Sequence, residues 1–401
     1  RCGTHELSKM DLFHPVKQVS KWAHNLRRYV KFVQPQTIVC GKWDDLPIIF
    51  PENKGSLPFD IFAASFYLLC RYEEYTGVEK DGFGRFPYQA SIAYKENFLS
   101  IPLINFWLNK WFQQHFWQNL LPFFKATTFS CIPTYDVDIA FKHAHQTFTQ
   151  NCKHGFKNLL KGNFIGLKQQ IQALNNAKND VFNCFEDILT LNQLHGLSPL
   201  FFILSVNKQT TIDKQIPISK KGMQLLVKQL ATTCTIGIHP SSKSHASTAA
   251  LQNEINNLYN ISGVAIQHSR QHYLIIKWPD TYKTLIDLGI YSDYSMGYSG
   301  KNGFRASFAK PFYWFNLVEN KATKLLIHPF VYMDANAIFH EKISASAALQ
   351  SLIHFYEIVK EVNGVFIPIF HNHFMGFESE WKQWKNIHQE FLKYASLQVT
   401  K

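Results

Sequence analysis

Five short apolar segments in the C-terminal two-thirds of the chain each run into a residue that can bind a metal or move a proton. In chain order these residues are Asp136 and Asp138, His239, His268 and Arg270, His328, and His371. Apolar residues at helical spacing lie between the segments, so strand and helix alternate from about residue 126 onward. The alternation predicts an α/β fold with a mostly parallel sheet or barrel. Because active sites of parallel barrels lie at the carboxyl ends of the strands, the five endings predict one shared site.

The pair Asp136 and Asp138 follows the first of these segments, Phe129 to Thr134. Alternation along an extended strand puts both carboxylates on the same face. Two carboxylates this close are costly in an apolar environment unless a cation or a proton lies between them. The pair therefore indicates a cation or proton site, although the same spacing also occurs in ordinary strand-end turns.

Several elements between the strand ends can be given approximate bounds. Apolar spacing predicts a helix over 180–194, with Asp180 as its N-cap. Residues 198–204 predict a buried strand, and residues 263–267 predict another. These elements complete the strand–helix alternation.

The N-terminal part of the chain has a different pattern. A length of 401 residues suggests about two domains, and a hydrophobic content of 46% is ample for packed cores. We predict a smaller α/β domain over 1–125 and a barrel domain over 126–401. Within the first, residues 41–50 resemble a strand and residues 60–75 an amphipathic helix.

The net charge of +12 is unevenly distributed. The segment 142–178 contains six lysines, and no acidic residue lies between Asp138 and Asp180. One interpretation is a basic amphipathic flap that meets a membrane surface or an anionic glycan. The other is one or two barrel helices with a solvated basic face. Nucleic acid is not an expected partner, because the chain has no recognised binding motif and a basic charge alone is weak support.

Composition also bears on location. No stretch approaches the roughly 18 apolar residues of a membrane span. The seven cysteines are scattered without metal-binding spacing, which fits buried thiols in a reducing compartment. No signal peptide is visible, but the sequence begins at Arg1, so an upstream segment could be missing. We expect a cytoplasmic protein or one peripheral to the inner membrane.

At its strand ends the chain resembles the polysaccharide deacetylase superfamily, carbohydrate esterase family four. Thr134 to Asp138 resembles the first motif of that family, and His239 begins a segment like the second. Arg270 resembles the third, and Gly364 to His371 resembles the last strand. The resemblance covers roughly residues 126–375 and implies a distorted (β/α) barrel. Residues 36–125 resemble an uncharacterised domain that precedes such deacetylase-like domains in some bacterial proteins.

The resemblance also implies roles for individual residues. Asp136 would be the general base, and His371 the general acid that protonates the leaving amine. Asp138 and His239 would hold a divalent metal, most plausibly zinc, which polarises the acetamide carbonyl. Arg270 would hold Asp136 by a charge-assisted hydrogen bond.

One position departs from the family pattern. The second motif of the family has a histidine four residues after the first, and here that position is Lys243. Either His272 or His245 could supply the missing imidazole. We favour His272 as the third ligand, because it lies two residues after Arg270 and alternation would direct both toward one face. His245 lies in a polar loop.

The resemblance implies a hydrolase that removes N-acetyl groups from a sugar or polysaccharide, with an N-acetylated glycan as its partner. A catalytically silent protein that binds glycan or scaffolds a cell-envelope assembly is the main alternative. Hydrolysis of another C–N or ester bond is a second alternative. Further candidates near the site are His328, His373, Asp293, Asp334 and Arg305. Aromatic faces suit sugar rings, but we expect most of the aromatics near the site loops to fill the core: Trp278, Tyr282, Tyr294, Tyr298, Tyr313 and Trp314.

Overall fold

A nine-stranded sheet forms the centre of the computed structural model, which describes residues 38–52, 55–114 and 128–399. The strands are β1 (Cys40–Trp43), β2 (Leu46–Ile49), β3 (Ser130–Cys131), β4 (Thr134–Val137), β5 (Leu200–Leu204), β6 (Thr235–His239), β7 (His268–Ser269), β8 (Ser292–Asp293), β9 (Phe312–Asn316), β10 (Lys321–Ile327), β11 (Tyr332–Met333), β12 (Val365–Phe366) and β13 (Pro368–His371).

Helices alternate with these strands. They are α1 (Ile61–Leu69), α2 (Ile92–Lys95), α3 (Leu103–Gln114), α4 (Phe148–Leu160), α5 (Phe164–Asn175), α6 (Phe185–Leu194), α7 (Lys221–Thr233), α8 (Thr248–Ser262), α9 (Asp280–Asp287), α10 (Ala345–Glu361) and α11 (Lys382–Val399). Among the described residues, no helix is long and apolar enough to cross a membrane.

The central sheet has the order β11-β13-β4-β5-β6-β7-β8-β10-β9. Its ladders are parallel except for the last, in which β9 pairs with β10 in antiparallel fashion. The predicted α/β class with a mostly parallel sheet is therefore confirmed. Over the described part of the chain no ladder joins the edge strands β11 and β9, so a closed ring is not seen.

The central strands are buried on both faces, as parallel strands covered by helices usually are. In β5, Phe201 and Ile203 pack into the large core between the sheet and the helices, whereas Leu200 and Phe202 pack into a smaller cluster on the opposite face. Gly237 of β6 leaves room for that second face, because a Cβ there would lie 2.7 Å from Cε1 of Phe202. Each fully buried leucine, isoleucine or phenylalanine side chain contributes about 1.5–3 kcal/mol to the stability of the fold.

Two elements predicted in the C-terminal part of the chain differ from the structure. The helix expected over 180–194 begins only at Phe185, and Asp180 caps no helix. Its buried carboxylate instead accepts hydrogen bonds from the backbone N–H groups of Lys142, His143, Ala144 and Phe182. The strand expected over 263–267 is displaced to β7, because α8 ends at Gly263 in the left-handed conformation and the chain pairs with β6 only further on.

The N-terminal described residues build a separate cluster around the fully buried Trp107. The strand predicted over 41–50 is the hairpin of β1 and β2. The helix predicted from residue 60 is α1, capped by Asp60, and it ends early because Arg71 adopts a left-handed conformation (φ 56°). The predicted boundary at residue 125 lies outside the described residues, so the two-domain division stays a prediction.

Glu74 connects this N-terminal cluster to the rest of the chain. Its buried carboxylate accepts hydrogen bonds from Arg71, from Arg305 and from the indole N–H of Trp278. Burial alone would raise the pKa of Glu74, but Arg305 and Arg71 lower it to about 2. The carboxylate is therefore charged at neutral pH and compensates two buried guanidinium groups.

We expect Glu74→Gln to lower the free energy of unfolding by about 3–5 kcal/mol, because the substitution leaves the buried Arg305 without its counter-charge, although Arg71 keeps Glu73. Urea unfolding followed by circular dichroism measures the change. Glu319→Gln is the matched control, since Glu319 pairs with Lys283 on the surface and its loss should not be measurable. Equal stability of the two variants would contradict a structural role for Glu74.

Candidate metal centre and active-site cavity

The parallel ladders bring the predicted strand-end residues to one edge of the sheet. His371 of β13 pairs with Asp136 of β4. Asp136 pairs with Phe202 of β5. The partner of Phe202 on β6 lies two residues before His239. Period-two alternation then sets His239 at the level of Asp138, two residues after Asp136.

Asp138, His239 and His272 form a compact group. One ligand atom from each lies within 4.8 Å of the other two. Oδ1 of Asp138 is 3.2 Å from Nε2 of His239 and 3.7 Å from Nε2 of His272. These are the three residues for which sequence predicts metal ligation, and the structure brings them together.

Hydrogen bonds fix how both imidazoles face Asp138. Nδ1 of His239 lies 2.5 Å from the carbonyl oxygen of Arg270, and Nδ1 of His272 lies 3.1 Å from Oδ1 of Asp213. An acceptor at Nδ1 keeps the proton on that nitrogen and leaves the lone pair of Nε2 directed at the carboxylate. Such an arrangement requires a cation or an additional proton between the groups.

The carboxylate of Asp138 fits the same requirement. Its Oδ1 atom is buried and has no hydrogen-bond partner of ordinary geometry. Burial alone would raise the pKa of Asp138, but the positive charge that the facing imidazoles of His272 and His239 carry when protonated lowers it well below its usual range. Two imidazole nitrogens and one carboxylate oxygen form a typical donor set for a divalent metal with an open position. The group is therefore a possible metal site.

Asp136 lies beside this group and is held by Arg270. The Nη1 atom of Arg270 donates to Oδ1 of Asp136 at 2.9 Å and to Oγ1 of Thr134 at 2.7 Å. Its Nε atom donates to the carbonyl oxygen of Tyr294, and the guanidinium lies 4.4 Å from the ring centre of Phe202. Oδ2 of Asp136 receives no bond from Arg270 and remains able to accept a proton.

His371 lies opposite and is held by Asp334. Oδ1 of Asp334 is 2.6 Å from Nδ1 of His371, and Oδ2 accepts the backbone N–H of the same residue at 2.7 Å. Burial alone would lower the pKa of His371, but the charge of Asp334 raises it to about 9. The imidazole is thus protonated at neutral pH, with Nε2 at 3.7 Å from Oδ2 of Asp138.

A cavity of about 420 Å³ opens over these groups and has Asp136, Asp138, His239, His272 and His371 in its wall. Part of the wall comes from the N-terminal region. Phe83, which is 49% exposed, stacks on Tyr273 with ring centres 5.1 Å apart and an interplanar angle of 12°. Arg85 donates to Asp81, to Ser299 and to the carbonyl oxygen of Tyr273, which fixes the loop against the cavity.

The alternative ligand His245 is engaged elsewhere. Its Nε2 atom lies 3.2 Å from the backbone carbonyl oxygen of His272, and burial lowers its pKa to about 4. Lys243, at the position where the resembled family has histidine, is exposed. The second imidazole of the group thus comes from the end of the next strand.

The remaining candidate residues lie at different distances from the proposed catalytic groups. His373 lines the cavity, and burial lowers its pKa to about 3. His328 stacks on Tyr294 outside the cavity wall, and Arg305 pairs with Glu74. Asp293 binds hydroxyl groups in the core, from Ser269, Tyr282 and Ser295. Of the acidic candidates, Asp334 alone contacts a proposed catalytic group.

Four residues of the site were missed by sequence reasoning: Asp213, Tyr273, Phe83 and Arg85. Asp213 orients His272 from 59 residues away, and also binds Ser242. The six aromatics named from sequence near the site loops do not line the cavity; Trp278, Tyr282 and Trp314 pack on one another, as expected of core residues. Phe83, Arg85 and Asp213 are distant in sequence from the five strand endings. Tyr273 directly follows His272, but its role depends on its stacking with the distant Phe83, which sequence could not show.

Comparisons with known proteins give one family match and several distant structural similarities. Residues 17–118 match a family described as "Family of unknown function (DUF7033)". A search of curated proteins found no match.

The similar solved structures are polysaccharide deacetylases of carbohydrate esterase family four and related pseudoenzymes. A candidate polysaccharide deacetylase from Mycobacterium smegmatis is 14% identical over 67% of this chain and 85% of its own, with a TM-score of 0.43. The deacetylase Bc1974 from Bacillus cereus is 11% identical over 66% and 87%, with a TM-score of 0.32. BA3943, a pseudoenzyme from Bacillus anthracis, is 9% identical over 66% and 60%, with a TM-score of 0.34.

The two candidate histidines can be distinguished by metal retention. We expect His272→Ala to lose zinc affinity by at least about tenfold, since it removes an atom of the group. His245→Ala should keep full zinc, because its imidazole binds a backbone carbonyl. Elemental analysis after dialysis against zinc, followed by buffer exchange, gives the ratio of metal to protein. Full zinc retention in both variants would show that His272 is not a metal ligand.

Proposed function

We propose that this chain is a metal-dependent hydrolase that removes N-acetyl groups from a sugar or polysaccharide. The observation that carries the proposal is the group of Asp138, His239 and His272 at a cavity that also holds Asp136 and His371. Zinc is the metal we propose, because two imidazoles and one carboxylate suit it and leave an open position. Zinc held there would act as a Lewis acid toward the amide carbonyl.

Asp136 would accept a proton in the reaction, and His371 would donate one. Asp136 accepts a proton from the attacking water through the oxygen that Arg270 leaves free. The amide C–N bond then breaks, and the leaving nitrogen takes a proton from Nε2 of His371. The products are acetate and a free amine on the sugar. The pKa of His371, raised to about 9, suits a residue that must begin the step protonated.

Three further residues would act by positioning these groups. Arg270 fixes the orientation of Asp136, and Asp334 fixes that of His371. Asp213 orients the ring of His272, as carboxylates commonly do for metal-binding histidines. All three are buried, so their hydrogen bonds face little competition from water.

The N-terminal loop would contribute to substrate binding. The stacked rings of Phe83 and Tyr273 offer a flat apolar surface at the cavity, of the kind on which the C–H groups of sugar rings pack. Arg85 holds that loop in place. Residues within the region of unknown function would thereby help select the glycan.

A catalytically silent glycan-binding protein is the second candidate. The observation that favours it is the exposed Lys243, which stands where the resembled family has a metal-binding imidazole. Under this alternative the cavity would bind N-acetylated glycan without turnover.

The function is tested by acetate release from N-acetylglucosamine oligosaccharides with zinc-loaded protein. We expect turnover by the native chain and a loss of at least about a hundredfold in kcat for Asp136→Asn, with zinc content unchanged. Asp187→Asn on the exposed side of α6 is the matched control and should behave as the native chain. Full turnover by Asp136→Asn would rule out its role as base. Bound zinc and oligosaccharide without acetate release would favour the silent protein.

Substitution of Phe83 tests the substrate surface. We expect Phe83→Ala to raise KM for oligosaccharides by roughly three- to tenfold at unchanged kcat, because a partly buried aromatic contact is lost away from the reacting atoms. The control is Phe62→Ala, an exposed phenylalanine of the same N-terminal region that packs on Trp111 outside the cavity. Identical KM values for the two variants would exclude Phe83 from the binding surface.

A further inference from the structure

The segment 142–178, here called the basic hairpin, exposes an unusual amount of apolar surface. It contains α4 and α5, and α4 has no buried residue along its whole length. The most exposed apolar side chains are Phe148 at 83%, Ile165 at 72%, Leu160 at 71% and Phe164 at 70%. Phe156, Leu159, Ile171 and Leu174 are also more than half exposed. Monomeric proteins seldom leave such large contiguous apolar patches uncovered.

The exposed side chains of α4 share one face. At about 100° per residue, Phe148, Phe156, Leu159 and Leu160 fall within about 120° of the helix circumference, and Lys153 and Lys157 border that face. Beyond the helix end, Lys161 lies in sequence between Leu160 and the pair Phe164 and Ile165, so exposed apolar side chains flank the turn of the hairpin and a lysine lies within it.

The charge of the hairpin narrows the choice of partner. Lys153, Lys157, Lys161, Lys168 and Lys178 are exposed, and no acidic residue lies between Asp138 and Asp180. A second copy of the chain would bring the same positive charges together, which is unfavourable. A glycan would leave the phenylalanine and leucine side chains in water. An anionic lipid surface offers both negative head groups and an apolar layer below them.

We propose that the basic hairpin docks the protein on an anionic membrane surface. Phe164, Ile165 and Leu160 enter the boundary between head groups and acyl chains, and the lysines contact the lipid phosphates. The proposal concerns attachment to the surface and no crossing of it. It is independent of the hydrolase activity.

Hydrogen bonds hold both ends of the hairpin against the rest of the fold. The carboxylate of Asp180, at its C-terminal end, accepts the backbone N–H groups of Lys142, His143 and Ala144 at its N-terminal end. Because Asp180 is fully buried, both ends are fixed together in the core. Lys142 also pairs with Glu378 near the C-terminal helix. The hairpin is therefore attached to the rest of the folded chain at both ends and is not a free loop.

Flotation with vesicles tests the proposal. The full chain is mixed with vesicles of phosphatidylcholine, with and without phosphatidylglycerol, and the bound fraction is measured at increasing salt. We expect binding only when phosphatidylglycerol is present, and weaker binding as salt screens the lysines. Binding to neither vesicle, or equal binding to both, would overturn the proposal.

Two variants separate the apolar and the charged contributions. The double variant Phe164→Ser with Ile165→Ser should weaken vesicle binding by at least about tenfold. The triple variant Lys153→Gln, Lys157→Gln and Lys161→Gln should weaken it by about a hundredfold, at about fivefold per lysine. The control is Leu194→Ser, an apolar residue 73% exposed on α6, which should bind as the native chain does.

The same variants identify a different occupant if the proposal is wrong. Size-exclusion chromatography with light scattering reports the oligomeric state of each one. A change of oligomeric state in the double variant, with vesicle binding unchanged, would assign the apolar face to a second copy. Unchanged vesicle binding in all variants would remove the hairpin from any membrane contact.

Discussion

The buried guanidinium of Arg270 is the interaction on which the candidate site depends. A charge removed from water needs compensating partners, and here Asp136, Thr134 and the carbonyl oxygen of Tyr294 accept hydrogen bonds from Nε and Nη1 of Arg270. These acceptors come from two other strand ends, so one side chain fixes three segments of backbone relative to each other. The carbonyl of Arg270 in turn holds the ring of His239. Arg270 therefore orients both the proposed base and His239 of the candidate metal group, whereas Asp213 orients His272.

Sequence reasoning found the residues that belong to the ends of strands. Asp136, His239 and His371 could be predicted because period-two alternation and parallel pairing give each of them a definite place. His272 was favoured over His245 on the same argument, and the structure puts His272 in the group. Asp213 and Phe83 could not be found in this way. Each reaches the site through a contact distant in sequence, and no local periodicity marks such a contact.

Asp180 illustrates a different limit of sequence reasoning. A carboxylate before an apolar helical pattern satisfies backbone N–H groups, and the nearest such groups belong to the helix that follows. In the folded chain it satisfies N–H groups about 36 to 38 residues earlier. The chemistry of the residue was predicted correctly, whereas its partners depended on the path of the intervening hairpin. Closure of the predicted barrel is a similar case, since no ladder over residues 128–399 joins the two edge strands.

The carboxylate of Glu74 has a consequence for how such chains can change over time. Arg305 lies in the C-terminal region and has its counter-charge in the N-terminal region. A recombination event that replaced the N-terminal region with an unrelated one would leave a bare cation in the interior. The N-terminal and C-terminal regions would therefore have to be inherited together, unless the replacement region carried an acidic residue at the position of Glu74. Variation in the proposed substrate preference would then arise by substitution within these two regions, at loops such as the one that carries Phe83, rather than by exchange of whole regions.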